Sequence, residues 1–94
     1  MPPTLQQIRE EYQQAFNRYD GLRRTPPIEV SFYPYVGINH TIRIRDGSVY
    51  VRIGEICRQM PLTAHRGLAH VLVAKLYRRR APADKRQLYS AYID

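Results

Sequence analysis

The sequence predicts an α+β domain: a helix, a strand, a β-hairpin, a long buried helix and a C-terminal helix, in that order, around a small three-stranded sheet. Three observations carry this. An apolar stripe at spacings of three and four opens the chain, strict alternation flanks an Asp-Gly pair in the middle, and a segment apolar on almost every side follows it. With 94 residues, 44% of them hydrophobic, there is room for one core, and residues 1–94 are read as a single domain.

The first helix, over about residues 4–20, rests on Leu5, Ile8, Tyr12, Ala15, Phe16 and Tyr19, which fall on one face. Thr4 is placed to cap it, with Gln7 three residues on as the partner of a capping box, and Gly21 stands where a left-handed C-cap is wanted. The two prolines of GLRRTPP exclude helix there. Ile28, Val30 and Phe32 then alternate with Glu29, Ser31 and Tyr33, a strand that Pro34, lacking an N–H, either ends or confines to an edge.

In TIRIRDGSVYVRI, Asp46-Gly47 between two alternating runs predicts a two-residue type I′ hairpin. That turn sets Arg45 opposite Ser48, Ile44 opposite Val49, Arg43 opposite Tyr50 and Ile42 opposite Val51. Ile42, Ile44, Val49 and Val51 are expected to form the buried face, and Arg43, Arg45, Tyr50 and Arg52 the other. A slip of one residue would bury three arginines. GEICRQMP reads as a short helical turn ended by Pro61. The second long helix runs from Thr63 to about Arg79. Apolar on almost every side between Leu68 and Leu76, it is expected to pass through the middle of the domain, with Lys75 and Arg78 to Arg80 at the negative end of its dipole. Pro82 opens a last helix with Leu88, Tyr89 and Tyr92 as its apolar contacts.

Fifteen lysines and arginines against eight acidic residues give a formal charge of +7, and thirteen of the fifteen are arginine. Such an excess attracts polyanions and acidic surfaces at long range, and the guanidinium fork pairs bidentately with phosphate or carboxylate. Nucleic acid or an acidic protein is the partner class this points to. No window approaches the ~20 apolar residues of a membrane span, so a cytoplasmic protein with no membrane partner is expected. A lone Cys57 supports neither an internal disulfide nor a thiolate metal site, and reads as a small hydrophobe. Eight tyrosines without tryptophan raise a homo-oligomer with Tyr33, Tyr35, Tyr89 and Tyr92 at its contact, against the plainer account of a wet core rim.

Within LAHVLVAKLYRRR stands His70, where a zinc peptidase carries the first histidine of H-E-x-x-H. That motif works because residues four apart stack on one helix face and offer both imidazoles to one zinc while the glutamate activates bound water. His65 and His70 are five apart, about 140° around the axis, and face different ways. The positions one and four after His70 are Val71 and Ala74. The serines lack a G-x-S-x-G context, there is no P-loop or G-x-G-x-x-G, and the carboxylates are scattered. Enzymatic activity, a bound metal and a cofactor are therefore not expected.

The order of elements and the text LAHVLVAKLYRR resemble the minimal zincin domain of SprT-like metallopeptidases, where the corresponding line is L-x-H-E-h-x-H-x-L with h apolar. On that pattern His70 falls on the first zinc histidine, Val71 on the glutamate base and Ala74 on the second histidine. The resemblance implies a zincin-like scaffold that has lost its chemistry, with His70 a vestige of the motif. From about Tyr12 to Ile93, above all in FYPYVGINHTIRIRDGSVYVRI and LAHVLVAKLYRRRAP, the chain is also similar to the N-terminal region of larger bacterial proteins that carry an intact SprT-like domain further downstream.

Two functional readings follow. One is a catalytically inactive zincin-like domain serving as a binding or accessory module. The other is a free-standing nucleic-acid-binding module whose contact is the hairpin face Arg43, Arg45, Tyr50 and Arg52, where a ring for stacking sits among groups for phosphate. Arg78, Arg79 and Arg80, with Arg23 and Arg24, form a second basic cluster. An ordinary solvated sheet face is the bland account of the first.

Overall fold

The computed structural model describes residues 1–20, 26–37 and 39–93. Its α+β elements follow the order α1 (Leu5–Asp20), β1 (Ile28–Tyr33), β2 (His40–Arg45), β3 (Ser48–Gly54), a 3-10 turn (Glu55–Cys57), α2 (Leu62–Leu76) and α3 (Ala83–Ile93). The capping box closes α1 at its start: the Gln7 N–H donates to the Thr4 hydroxyl at 3.1 Å, and the Thr4 N–H donates to the Gln7 side-chain carbonyl at 2.8 Å. The Gly21 cap, Arg23 and Arg24 lie outside the described residues.

Asp46 and Gly47 both adopt positive φ, 51° and 78°, as a type I′ turn requires. The hairpin has the register set by that turn, from Arg45 opposite Ser48 to His40 opposite Ile53. β1 lies parallel along the other side of β3, with Ile28 beside Val49 and Phe32 beside Ile53, so the order is β1-β3-β2. β1 thus both ends before Pro34 and occupies an edge. The chain leaving β1 must cross the end of β3 to begin β2. Gly54 admits it: a Cβ there would stand 3.0 Å from the Asn39 carbonyl oxygen.

One face of the sheet is covered by helices. Ile28, Val30, Val49, Val51 and Ile53 pack against Ile8, Tyr12 and Phe16 of α1 and Leu68, Leu72 and Val73 of α2. α2 is the central element, buried at nine positions from Ala64 to Ala74. α1 is tied to it by a buried carboxylate, Glu11, which accepts from Arg66 Nε at 2.8 Å and Nη2 at 3.3 Å. α3 buries no residue fully and packs backbone to backbone on α2 at Gly67. No helix among the described residues is long and apolar enough to cross a membrane.

Three expectations are corrected. Ile44 is 56% exposed instead of buried, because cover fades along β2 from half-buried His40 to open solvent at the turn. Tyr92 is 41% exposed, so α3 meets the core through Tyr89 and Ile93. α2 stops at Leu76, three residues early: the Arg78 N–H donates to the Lys75 carbonyl and the Arg79 N–H to the Ala74 carbonyl, the paired bonds of a Schellman motif. Its left-handed position, φ 54°, is held by Arg78 where glycine is usual.

A Cβ on Gly67 would stand 2.5 Å from the Lys85 carbonyl oxygen and 2.8 Å from the Tyr89 nitrogen, both backbone atoms of α3. Gly67→Ala is therefore expected to destabilise the fold by about 1–3 kcal/mol in urea denaturation. The sign is opposite to the gain of roughly 1 kcal/mol that the same change gives in an open helix interior.

Candidate functional site

Because side chains alternate across a strand, the face that the helices leave open is fixed by the face they cover. Row by row, the open face places Arg45 beside Ser48, then Arg43, Tyr50 and Glu29, then Thr41, Arg52 and Ser31, with Tyr33 at the end of β1. Arg43, Arg45, Tyr50 and Arg52 are thus brought together and are all exposed, Tyr50 by 39%. Among the described residues the ion pairs are Glu55 with Arg58 and Glu11 with Arg66, and no carboxylate engages Arg43, Arg45 or Arg52. Among the described strand residues Glu29 is the acid on this face.

Two aromatic groups complete the surface. The Tyr33 and Tyr35 rings lie 4.7 Å apart at 41°, and the Arg52 guanidinium stands 5.0 Å over the Tyr33 ring, a cation–π contact. The Tyr35 hydroxyl is 3.2 Å from the Thr41 hydroxyl, which fixes the ring over β2. A concavity of about 450 Å³ results, lined chiefly by Tyr35, Thr41, Tyr50 and the three arginines. Tyr33, Tyr35 and Thr41 were not singled out for this face by the sequence. The alternation of β1 gives Tyr33 an outward direction, but only the pairing of β1 with β3 puts it on the arginine side.

The second cluster stands apart in kind. Arg78, Arg79 and Arg80 are exposed at the end of α2, and none of them lines the concavity.

The histidines occupy three separate settings. His40 opens β2; its Nδ1 accepts from the Gly54 N–H at 3.0 Å, which leaves Nε2 to donate to the Tyr89 hydroxyl at 2.7 Å. Burial lowers its pKa. His65 is fully buried and turned toward the sheet, edge-on to Phe32 at 6.2 Å. Burial takes its pKa down to about 4; the Cys57 backbone opposes this from nearby without reaching hydrogen-bond geometry, and His40 adds to it. His70 faces α1 instead, its ring 5.7 Å from that of Tyr19, with a pKa lowered by burial and then by Lys85 and Arg18. One residue on, Val71 is half-buried, and Ala74 is fully buried. Among the described residues, no group of three or more His, Cys, Asp or Glu side chains is placed to hold a metal ion.

Compared with family profiles, curated proteins and solved structures, the chain matches none. The site is therefore read from its own geometry.

All three histidines hold a proton less readily in the fold than at their ordinary value of 6.5. As pH falls through 6.5 the unfolded chain takes up protons first, so the stability present above that value is lost, for His65 over the window from 6.5 to about 4. Thermal melts from neutral pH down to the lower end of that window are expected to show a falling Tm, and His65→Leu to flatten the decline.

Proposed function

We propose that the protein is a nucleic-acid-binding module that holds the sugar–phosphate backbone on its open sheet face. The observation that carries this reading is the grouping of Arg43, Arg45 and Arg52 around Tyr50 on one exposed surface, with no carboxylate partner among the described residues. Three guanidinium groups on one face, without a carboxylate partner among the described residues, repel one another, and a chain of phosphates relieves the repulsion while releasing its own counterions. Arginine serves this better than lysine, since its fork meets two phosphate oxygens at once. In this reading the module works in the cytoplasm as a binding protein and not as an enzyme. The basic group Arg78 to Arg80 adds non-specific attraction from outside the concavity.

Fluorescence anisotropy with labelled oligonucleotides at a series of salt concentrations tests the reading. The logarithm of the binding constant is expected to fall linearly with the logarithm of salt. Arg43→Gln, Arg45→Gln and Arg52→Gln together are expected to make the slope shallower by about one for each phosphate the protein no longer neutralises. A triple variant that binds with unchanged affinity and slope would sink it. So would binding to an acidic protein in preference to either nucleic acid.

A second reading, compatible with the first, is that the scaffold is a pseudo-metallopeptidase related to SprT-like domains. It draws on the order of elements and the similarity of LAHVLVAKLYRR in α2 to that family's helix line; Val71 and Ala74 depart from the pattern at the glutamate and the second histidine. On this reading the purified protein carries zinc well below one equivalent, and a chelator leaves its Tm unchanged. Stoichiometric zinc whose removal unfolds the chain is the contrary result.

A further inference from the structure

We infer that the concavity on the open face receives one unstacked base of a single-stranded nucleic acid, flanked by Tyr50 and Tyr35, while Arg43 and Arg45 hold the adjoining phosphates. This rests on the nucleic-acid reading above and specifies its substrate class.

The volume is the first ground. At about 450 Å³ the concavity falls within the range of pockets that enclose a small ligand. A base is a ligand of that size, and its flat faces are what an aromatic wall recognises without regard to sequence. A duplex keeps those faces stacked inside and shows an exposed tyrosine only backbone and base edges. Tyrosine on this surface therefore contributes to binding only when the bases are free.

The two rings have different roles. Tyr35 is fixed before any ligand arrives: its hydroxyl is held by Thr41 at 3.2 Å and its ring is backed by Tyr33 at 4.7 Å. A wall already in place loses little freedom on binding. The Tyr33 ring is itself covered by Arg52 at 5.0 Å and is occupied. Tyr50, 39% exposed on the middle strand and lining the concavity, is the platform.

Charge then sets the direction of the strand. In the row of Tyr50, Arg43 stands on the β2 side and Glu29 on the β1 side. Phosphates are drawn to β2 and repelled from β1. Arg43 and Arg45, two residues apart on β2, are separated by about 7 Å of strand, a reach that spans neighbouring phosphates of an extended single strand. The backbone thus runs along β2 with its bases directed inward over β3.

The test is fluorescence anisotropy at one fixed salt concentration with labelled oligodeoxythymidine, oligouridine, and the duplex of the deoxythymidine strand with its complement. Single strands are expected to bind at least about fivefold more tightly than the duplex, since one base stack is worth about fivefold to a hundredfold. Tyr50→Leu and Tyr50→Thr, both at home in a strand, are expected to remove most of that preference by weakening single-strand binding; Tyr50→Phe retains it. Unchanged circular dichroism shows that the fold is kept. Equal affinity for single strand and duplex, or indifference of the single strand to both Tyr50 variants, overturns the stacking inference; if the triple arginine variant still loses affinity, the phosphate-binding reading of the face survives. Binding to none of the three oligonucleotides overturns both.

Discussion

The structure depends on a sheet that is buried on one side only. Three strands with a period of two give two faces, and α1 and α2 cover the one that carries Ile28, Val30, Val49, Val51 and Ile53. Everything on the other face follows from this choice. Arginine and tyrosine can occupy alternate positions of β2 and β3 at no cost to the core, because the residues between them supply the apolar contacts. The same alternation prevents drift, since moving either hairpin strand by one place would turn guanidinium groups into the interior.

The central helix makes such a small sheet tenable. α2 buries residues all round its circumference from Ala64 to Ala74, so it is enclosed by the sheet, α1 and α3 instead of lying on a surface. Two of its polar residues are absorbed into this role. His65 points to the sheet and His70 to Tyr19, and both are driven toward the neutral form by burial. Arg66, between them in sequence, reaches the Glu11 carboxylate of α1 with two nitrogens. A buried carboxylate with a bidentate partner specifies how α1 sits on α2 and would be costly to leave alone.

Features set by neighbours in sequence were legible there. The Thr4 and Gln7 pairing, the Asp46-Gly47 turn, the register that follows from it and the enclosure of α2 all have local causes. Features set by partners distant in sequence were not. Nothing in Ile28 to Tyr33 states that this strand runs parallel to β3, and so nothing in the sequence brings Tyr33 to Arg52. The end of α2 was misplaced because the usual signal is a glycine, and Arg78 occupies the left-handed position in its stead. Ile44 was misplaced because alternation tells which face a side chain takes, and not whether anything covers that face at that point. The arginine and tyrosine surface was legible as far as the hairpin extends. Its concave shape was not, because Tyr35 comes from the irregular connection and is positioned by a hydroxyl contact with Thr41.

The passage of the chain over Gly54 has a kinetic consequence. β2 and β3 meet across a two-residue turn, whereas β1 reaches β3 only across a longer stretch that includes all of β2 and the turn. Closing the larger loop loses more chain entropy, and the central strand it must join exists as a template only once the turn has closed. The hairpin is accordingly the early structure and the parallel edge the late one. Until that edge docks, the inner side of β3 has a row of unsatisfied amides and carbonyls, the state in which this chain is most prone to pair with another copy of itself.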